Sequence, residues 1–143
     1  MIDKLDKIFK MQEELRIAIG EGKDFLKELS PEEKGTWIRK YLDYIRQEVA
    51  EAYDCLAYKH WDKCGKETPN KILDEENLKI EIIDILFFLL DICHILDLDS
   101  EKIFKIYSMK QKINLIRQQN NYSVLTKTEE DNLNLREEIK KLI

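Results

Sequence analysis

The stretch that most constrains this chain is LKIEIIDILFFLLDICHIL, from Leu78 to Leu96. Its length and its Leu, Ile and Phe content predict a helix of about five turns, apolar on nearly every side. A helix of that kind is normally buried all round. Yet Glu81 and Asp84 sit in it three residues apart on one face, with Asn77 one turn before and Asp91 two turns after. Ionised carboxylates are seldom buried without something positive beside them. A fold built around this helix must therefore supply a cation or bind one.

With 143 residues the chain suffices for a single domain, 1–143, whose core needs no staples. Only 4 Gly and 2 Pro against many Leu, Ile, Lys and Glu favour helices throughout. A net charge of −5 argues against nucleic-acid binding by bulk electrostatics, while leaving room for a local anion site. The 3 cysteines, Cys55, Cys64 and Cys93, show no metal-binding spacing, and their odd number suits a reducing compartment. The first ten residues lack the apolar stretch of a secretory signal, and the run at 80–96 is too broken by carboxylates to span a bilayer. A cytoplasmic protein with neither nucleic-acid nor membrane partners is expected.

Along the chain, Leu5, Ile8, Leu15 and Ile19 form one helical stripe over about 3–19, with Gln12 inside it where an aliphatic residue belongs. Gln12 is either a polar register-setter or an amide aimed into a pocket. Gly20 and Gly22 end that helix. Ser30-Pro31-Glu32-Glu33 is a strong start for the next, which carries Ile38, Leu42, Ile45, Val49, Ala52 and Leu56 as a stripe and runs to about Lys59–Lys63. Cys64 to Asp74 reads as a loop. Beyond the apolar helix, Ser100 is a candidate N-cap for a helix near 101–119. One side of it holds Ile106, Met109, Ile113 and Ile116; another holds Tyr107, Lys110, Asn114 and Arg117, a row of donors. Asn120-Asn121-Tyr122 closes it, and a T-x-x-D start at Thr128 opens a short charged helix. No run alternates as a strand does. The expected fold is all-α: four main helices in a bundle plus a C-terminal one.

Two pairs of acids, Glu48/Glu51 and Glu81/Asp84, stand at i, i+3 on successive long helices joined by one loop. Packed together, those helices can bring both pairs to one level. Four carboxylates and no Cys/His set select a hard cation, Mg²⁺ or Mn²⁺, over Zn²⁺. Magnesium usually completes its octahedron with water and phosphate oxygens, so a polyphosphate is the natural substrate. The donors from Tyr107 to Arg117 suit phosphate oxygens.

These residues resemble the all-α nucleotide pyrophosphohydrolases, the group of dimeric dUTPases and MazG-type enzymes, and the dimeric dUTPase branch most. E-x-x-E in QEVAEAYDCLAYKHWDK, from Gln47 to Lys63, is similar to the family's first acidic motif running into Trp-Lys-Trp-Trp, matched by Tyr58, Lys59, His60 and Trp61. NLKIEIIDILFF, led by Asn77, resembles its second acidic motif. YSMKQKINLIRQQNNY resembles its phosphate-binding end through Lys110, Asn114, Arg117 and Tyr122. The sequence departs from that pattern at Arg16 (usually Asn), Cys55 (Ser), Phe87 (His) and Asn121 (Gly).

The resemblance implies a homodimer that hydrolyses dUTP to dUMP and pyrophosphate. Glu48, Glu51, Glu81 and Asp84 would hold Mg²⁺, and Glu48 or Glu51 would orient the attacking water. Lys110, Asn114, Arg117 and Tyr122, helped by Lys59, would hold the phosphates, while Gln12 and Trp61 would take the base. Trp61 is equally readable as a core anchor at a helix end. Two alternatives remain: a MazG-like enzyme acting on another (deoxy)nucleoside triphosphate, and a non-catalytic helical binding protein. A di-iron carboxylate protein needs two E-x-x-H motifs, and only Asp91-x-x-His94 is present.

Overall fold

The computed structural model describes residues 3–59, 61, 63, 66, 71–119 and 130–142. Five helices are formed among them: α1 (Lys4–Ala18), α2 (Pro31–Asp54), α3 (Glu75–Ile95), α4 (Ser100–Gln119) and α5 (Glu130–Lys140). The described residues include no strand, only an isolated antiparallel bridge between Leu56 and Ile72. No helix among them is long and apolar enough to cross a membrane. The chain divides into two compact units, Lys10–Leu96 and Met1–Phe9 with Asp97–Ile143, so the boundary falls within α1.

In the first unit α2 packs along α3. A complete capping box starts α2: Ser30 Oγ accepts from the Glu33 amide and the Glu33 carboxylate accepts from the Ser30 amide, with Pro31 in the first turn. The core joins Leu26, Leu29, Tyr41, Ile92 and Ile95, flanked by Phe25, Trp37, Ile38, Ile45 and Phe88. The buried edge of α2 is thus centred on Tyr41 and Ala52, whereas Leu42 and Val49 of the expected stripe are exposed. Ile38, Ile45, Ala52 and Leu56 of that stripe are buried or half-buried, and Trp37 and Tyr41 widen the buried edge beside them. The helix also ends sooner than expected, at Asp54. Cys55 caps it, and the chain then pairs in extended form through Ala57 N–H to Lys71 O (2.9 Å) and Leu73 N–H to Cys55 O (2.8 Å). Those bonds satisfy backbone groups that a longer helix would have used internally.

The periodicity of α1 misleads about its buried face. Gln12 and Arg16 are its buried residues, while Ile8, Leu15 and Ile19 are exposed. The helix turns its polar edge inward because Asp91 lies there to receive it. Gly20, at φ +95°, lets the chain close a Schellman motif: Glu21 N–H donates to Arg16 O and Gly20 N–H to Ile17 O. That turn carries Glu21 back beside Arg16.

Helix α3 begins at Glu75, earlier than Leu78, because the Asp74 side chain caps it by accepting from the Asn77 amide (2.9 Å). Burial on every side is not observed within one chain. Glu81, Leu90, Asp91, Ile92 and Ile95 are buried, but Ile80, Ile82, Ile83 and Leu89 are each about half exposed. The acids face inward and much of the aliphatic surface faces out.

In the second unit α4 packs against α5. Asp99 caps α4 in place of Ser100, accepting from the Lys102 amide (2.8 Å), and the Ser100 hydroxyl donates to Asp6 instead. Ile106, Met109 and Ile113 are half-buried, as their stripe predicts, while Ile116 is exposed. The expected closing segment 120–122 and the Thr128 start lie outside the described residues, as do residues 64, 65 and 67–70 of the expected loop.

Candidate active site

Carboxylate oxygens of Glu48, Glu51 and Glu81 lie within 4.8 Å of one another. The three-residue spacing puts the first two on one side of α2, and packing of α2 on α3 brings them to Glu81. Burial increases across the set, from exposed Glu51 through half-buried Glu48 to buried Glu81. Neighbouring amides fix two of the three. Asn77 Nδ2 donates to Glu81 Oε1 (2.8 Å) and lies 3.4 Å from Cys55 Sγ, and Gln47 Nε2 donates to Glu51 Oε1 (3.0 Å).

The electrostatics of this cluster are unbalanced. Burial first, then the charges of Glu51, Asp84 and Glu81, push the Glu48 carboxyl above the usual carboxylate range. Among the described residues none of the three is in an ion pair. Accumulated negative charge and a set of oxygen donors, with no His or Cys in the cluster among the described residues, fit a hard divalent cation. Asp84 is outside the close triad, but its charge is felt by Glu48. On one side of the cluster is a small recess of about 260 Å³, bordered by Glu51, Asn77 and Glu81.

A larger cavity, about 430 Å³, begins at Glu48 and Asp84 and runs to Gln12, Arg16 and Asp91. Trp37, Tyr41, Tyr44, Phe87 and Phe88 wall it. Tyr41 has three ring neighbours, Trp37 at 5.7 Å and Tyr44 and Phe88 each at 6.2 Å between centroids. Lys40 Nζ sits 4.2 Å over the Trp37 ring. A volume of this size with aromatic walls and a few polar groups is what a flat heterocycle requires.

The polar end is closely built. Gln12 Nε2 donates to Asp91 Oδ2 at 2.9 Å, and Arg16 Nε stands 3.5 Å from Asp91 Oδ1. Exposure is only 3% for Gln12 and 5% for each of Arg16 and Asp91, so this is a buried ion pair. Burial raises the Asp91 carboxyl to about 6, even though Gln12 and Arg16 act to lower it; Glu21 adds a smaller upward push. The same burial, with Asp91 and Glu21, raises the Tyr41 hydroxyl.

Gln12, Glu48 and Asp84 of the expected site therefore line one cavity, and Glu51, Glu81 and Asn77 adjoin it through the acid cluster. Lys59 and Trp61 do not line it; Trp61 is exposed, which removes the core-anchor reading. Lys110, Asn114 and Arg117 stand on α4 in the other unit, where Lys110 Nζ donates to Asn132 Oδ1 (3.0 Å). Tyr122 is outside the described residues. Sequence reasoning missed Arg16 and Asp91 as site residues, and missed the aromatic wall. The signals existed: Gln12 and Arg16 are one helical turn apart, and Trp37, Tyr41 and Tyr44 follow i, i+4, i+7. Asp91 engaged by Gln12 and Arg16 also counts against Asp91-x-x-His94 as a metal motif.

A family described as dUTPase matches residues 4–93, which contain the acid cluster and the whole lining of the cavity. A dCTP pyrophosphatase of Enterobacteria phage LZ5 is 29% identical to this chain, covering 85% of it and 84% of the relative. A dCTP pyrophosphatase of Enterobacteria phage T4 is 28% identical over 84% of this chain and 83% of its own. No solved structure matches.

Proposed function

The chain belongs to the dUTPase family, as an enzyme of the nucleotide diphosphatase kind, and we propose that it hydrolyses a pyrimidine deoxynucleoside triphosphate to the monophosphate and pyrophosphate. The observation that carries this reading is the convergence of Glu48, Glu51 and Glu81 at one end of an aromatic-walled cavity. The family points to dUTP; the phage relatives are named for dCTP. Both are substrates on this reading, and another deoxynucleotide such as dTTP gives measurable turnover.

Glu48, Glu51 and Glu81, with Asp84 beside them, would hold Mg²⁺, or Mn²⁺ in its place. A bound divalent ion supplies positive charge that offsets the triphosphate and polarises the phosphoryl group. Glu48 or Glu51 orients the attacking water. Asn77 positions Glu81 through their hydrogen bond. Gln12 and the aromatic wall take the base; Trp61, which does not line this cavity, keeps a stacking role only by resemblance to the family. By resemblance to the family, Lys110, Asn114, Arg117 and Tyr122 hold the phosphates, with Lys59 assisting. The exposed Ile80, Ile82, Ile83 and Leu89 of α3 support a homodimer, because water is a poor neighbour for that surface. Cys55 and Cys93, both free, are in keeping with a reducing compartment, the cytoplasm.

The direct test is a panel of nucleoside triphosphates with Mg²⁺ and pyrophosphate detection. Pyrophosphate release from dUTP and dCTP, with UTP slower, is expected. Failure to release it from any triphosphate overturns the reading. A monomer by light scattering at micromolar concentration, with full activity, overturns the dimer.

A further inference from the structure

The proposed base cavity ends in more hydrogen-bond acceptors than donors. Asp91 Oδ1, Gln12 Oε1 and Glu21 Oε2 are buried oxygens with no hydrogen-bond partner, and Arg16 Nε is the buried donor among them. All four residues line the cavity. Gln12 is fixed in orientation: its amide nitrogen must face the acceptor Asp91 Oδ2, which leaves its oxygen turned elsewhere. Arg16 balances the charge of Asp91 but, at 3.5 Å without hydrogen-bond alignment, does not use up Oδ1. Buried acceptors of this kind are costly unless something donates to them.

The two candidate bases differ at just this chemistry. Cytosine presents an exocyclic amino group, a donor, and two acceptors; uracil presents a carbonyl oxygen in the amino position and an N–H beside it. An ionised carboxylate accepts only. It accepts a hydrogen bond from an amino group, whereas it would face a carbonyl oxygen with like partial charge. Carboxylate-to-cytosine-amine is an established pairing for that reason.

We propose that Asp91, held by Gln12 and Arg16, is the specificity-determining residue of this cavity and selects a pyrimidine bearing an exocyclic amine over one bearing a carbonyl there. This rests on the proposed nucleotide pyrophosphohydrolase activity. Arg16 is then a positioning residue: it keeps the carboxylate charged in a dry site and contributes one donor for a ring acceptor.

The experiment compares kcat/KM for dCTP, dUTP and the deoxynucleoside triphosphate of 2-pyrimidinone, which lacks the exocyclic group, in wild type and Asp91→Asn. Wild type should prefer dCTP by roughly tenfold or more, the size of one good base-edge contact, and lose that advantage on the pyrimidinone. Asp91→Asn, whose amide can also donate, should invert the dCTP-to-dUTP ratio, with most of the change in KM. If the single variant fails to fold, Arg16→Met with Asp91→Asn removes both charges together, and the same inversion is expected. Equal loss on all three substrates would make Asp91 merely structural and overturn the proposal, as would wild-type enzyme that handles dCTP and the pyrimidinone alike. In either case the hydrolase reading stands. Only a wild type inert toward every triphosphate overturns both.

Discussion

Helix α3 carries buried acid at two places, and the protein treats them in opposite ways. At Asp91 it provides its own answer: Gln12 donates to one oxygen and Arg16 stands beside the other. At Glu81 it provides only an amide, from Asn77, and adds two more carboxylates. The first arrangement balances its charge within one chain, although Asp91 Oδ1, Gln12 Oε1 and Arg16 Nε keep unused hydrogen-bonding capacity. The second is open, since bringing three acids within 4.8 Å is unfavourable until a cation arrives. An inward-facing carboxylate is therefore not informative alone; what surrounds it separates the pocket wall at Asp91 from the metal site proposed at Glu81.

The largest effect should come from closing the open end by mutation. Glu81→Gln keeps the shape and the contact with Asn77 but removes one of three charges. Turnover should fall below detection and Mg²⁺ affinity should collapse, while the metal-free protein unfolds at the same or a higher temperature because repulsion has been relieved. Calorimetry for Mg²⁺ and a thermal melt check the two halves separately. Retained turnover with unchanged metal affinity would sink the assignment.

Opening the closed end should cost stability instead. Arg16→Met leaves Asp91 buried without its cation, and breaking a buried pair from one side costs about 3–5 kcal/mol. Urea unfolding measures it. Metal binding at Glu81 should change far less, because the acid cluster and Asp91 have no shared partner. A loss below about 1 kcal/mol, the scale of a surface pair, would mean that Arg16 contributes little to holding Asp91.

This division explains what could be read in the sequence. The acid cluster was legible because each pair is local, three residues apart, and one loop joins their helices. The capping box at Ser30 was legible for the same reason. Arg16 was not, because its partner is 75 residues away and it sits in a stripe whose apolar neighbours, Ile8, Leu15 and Ile19, turn out to be exposed. Hydrophobic periodicity assumes that the buried face is the apolar one, and α1 reverses this to serve Asp91. The aromatic wall is harder to read because Ile38, Leu42, Ile45 and Val49 make a cleaner stripe than Trp37, Tyr41 and Tyr44; Ile38 and Ile45 do pack on the core, but Leu42 and Val49 face out and the rings line the cavity. On α3, apolar content predicted burial correctly for Leu90, Ile92 and Ile95 and wrongly for Ile80, Ile82 and Ile83.

The smallest effect expected is a pH dependence confined to the closed end. The Asp91 carboxyl is raised from 3.8 to about 6 in the folded chain. Between those values the folded protein keeps a proton that the unfolded chain has released. Stability from this group is therefore fully present below about 4 and is lost as pH rises through 6, where the buried carboxylate must ionise. Arg16, Glu21 and Tyr41 are the charged or titratable groups that face it, and Arg16 keeps the loss modest. Other carboxylates titrate in the same range, so the informative quantity is a difference. Wild-type stability minus that of Asp91→Asn, measured by urea unfolding without Mg²⁺ between pH 4 and 7, should decline as pH rises and flatten above about 6. A difference that rises with pH would mean that Arg16 and Gln12 outweigh burial. The ionised carboxylate would then be the favoured native form, and the pair would be a stabilising contact in place of a tolerated one.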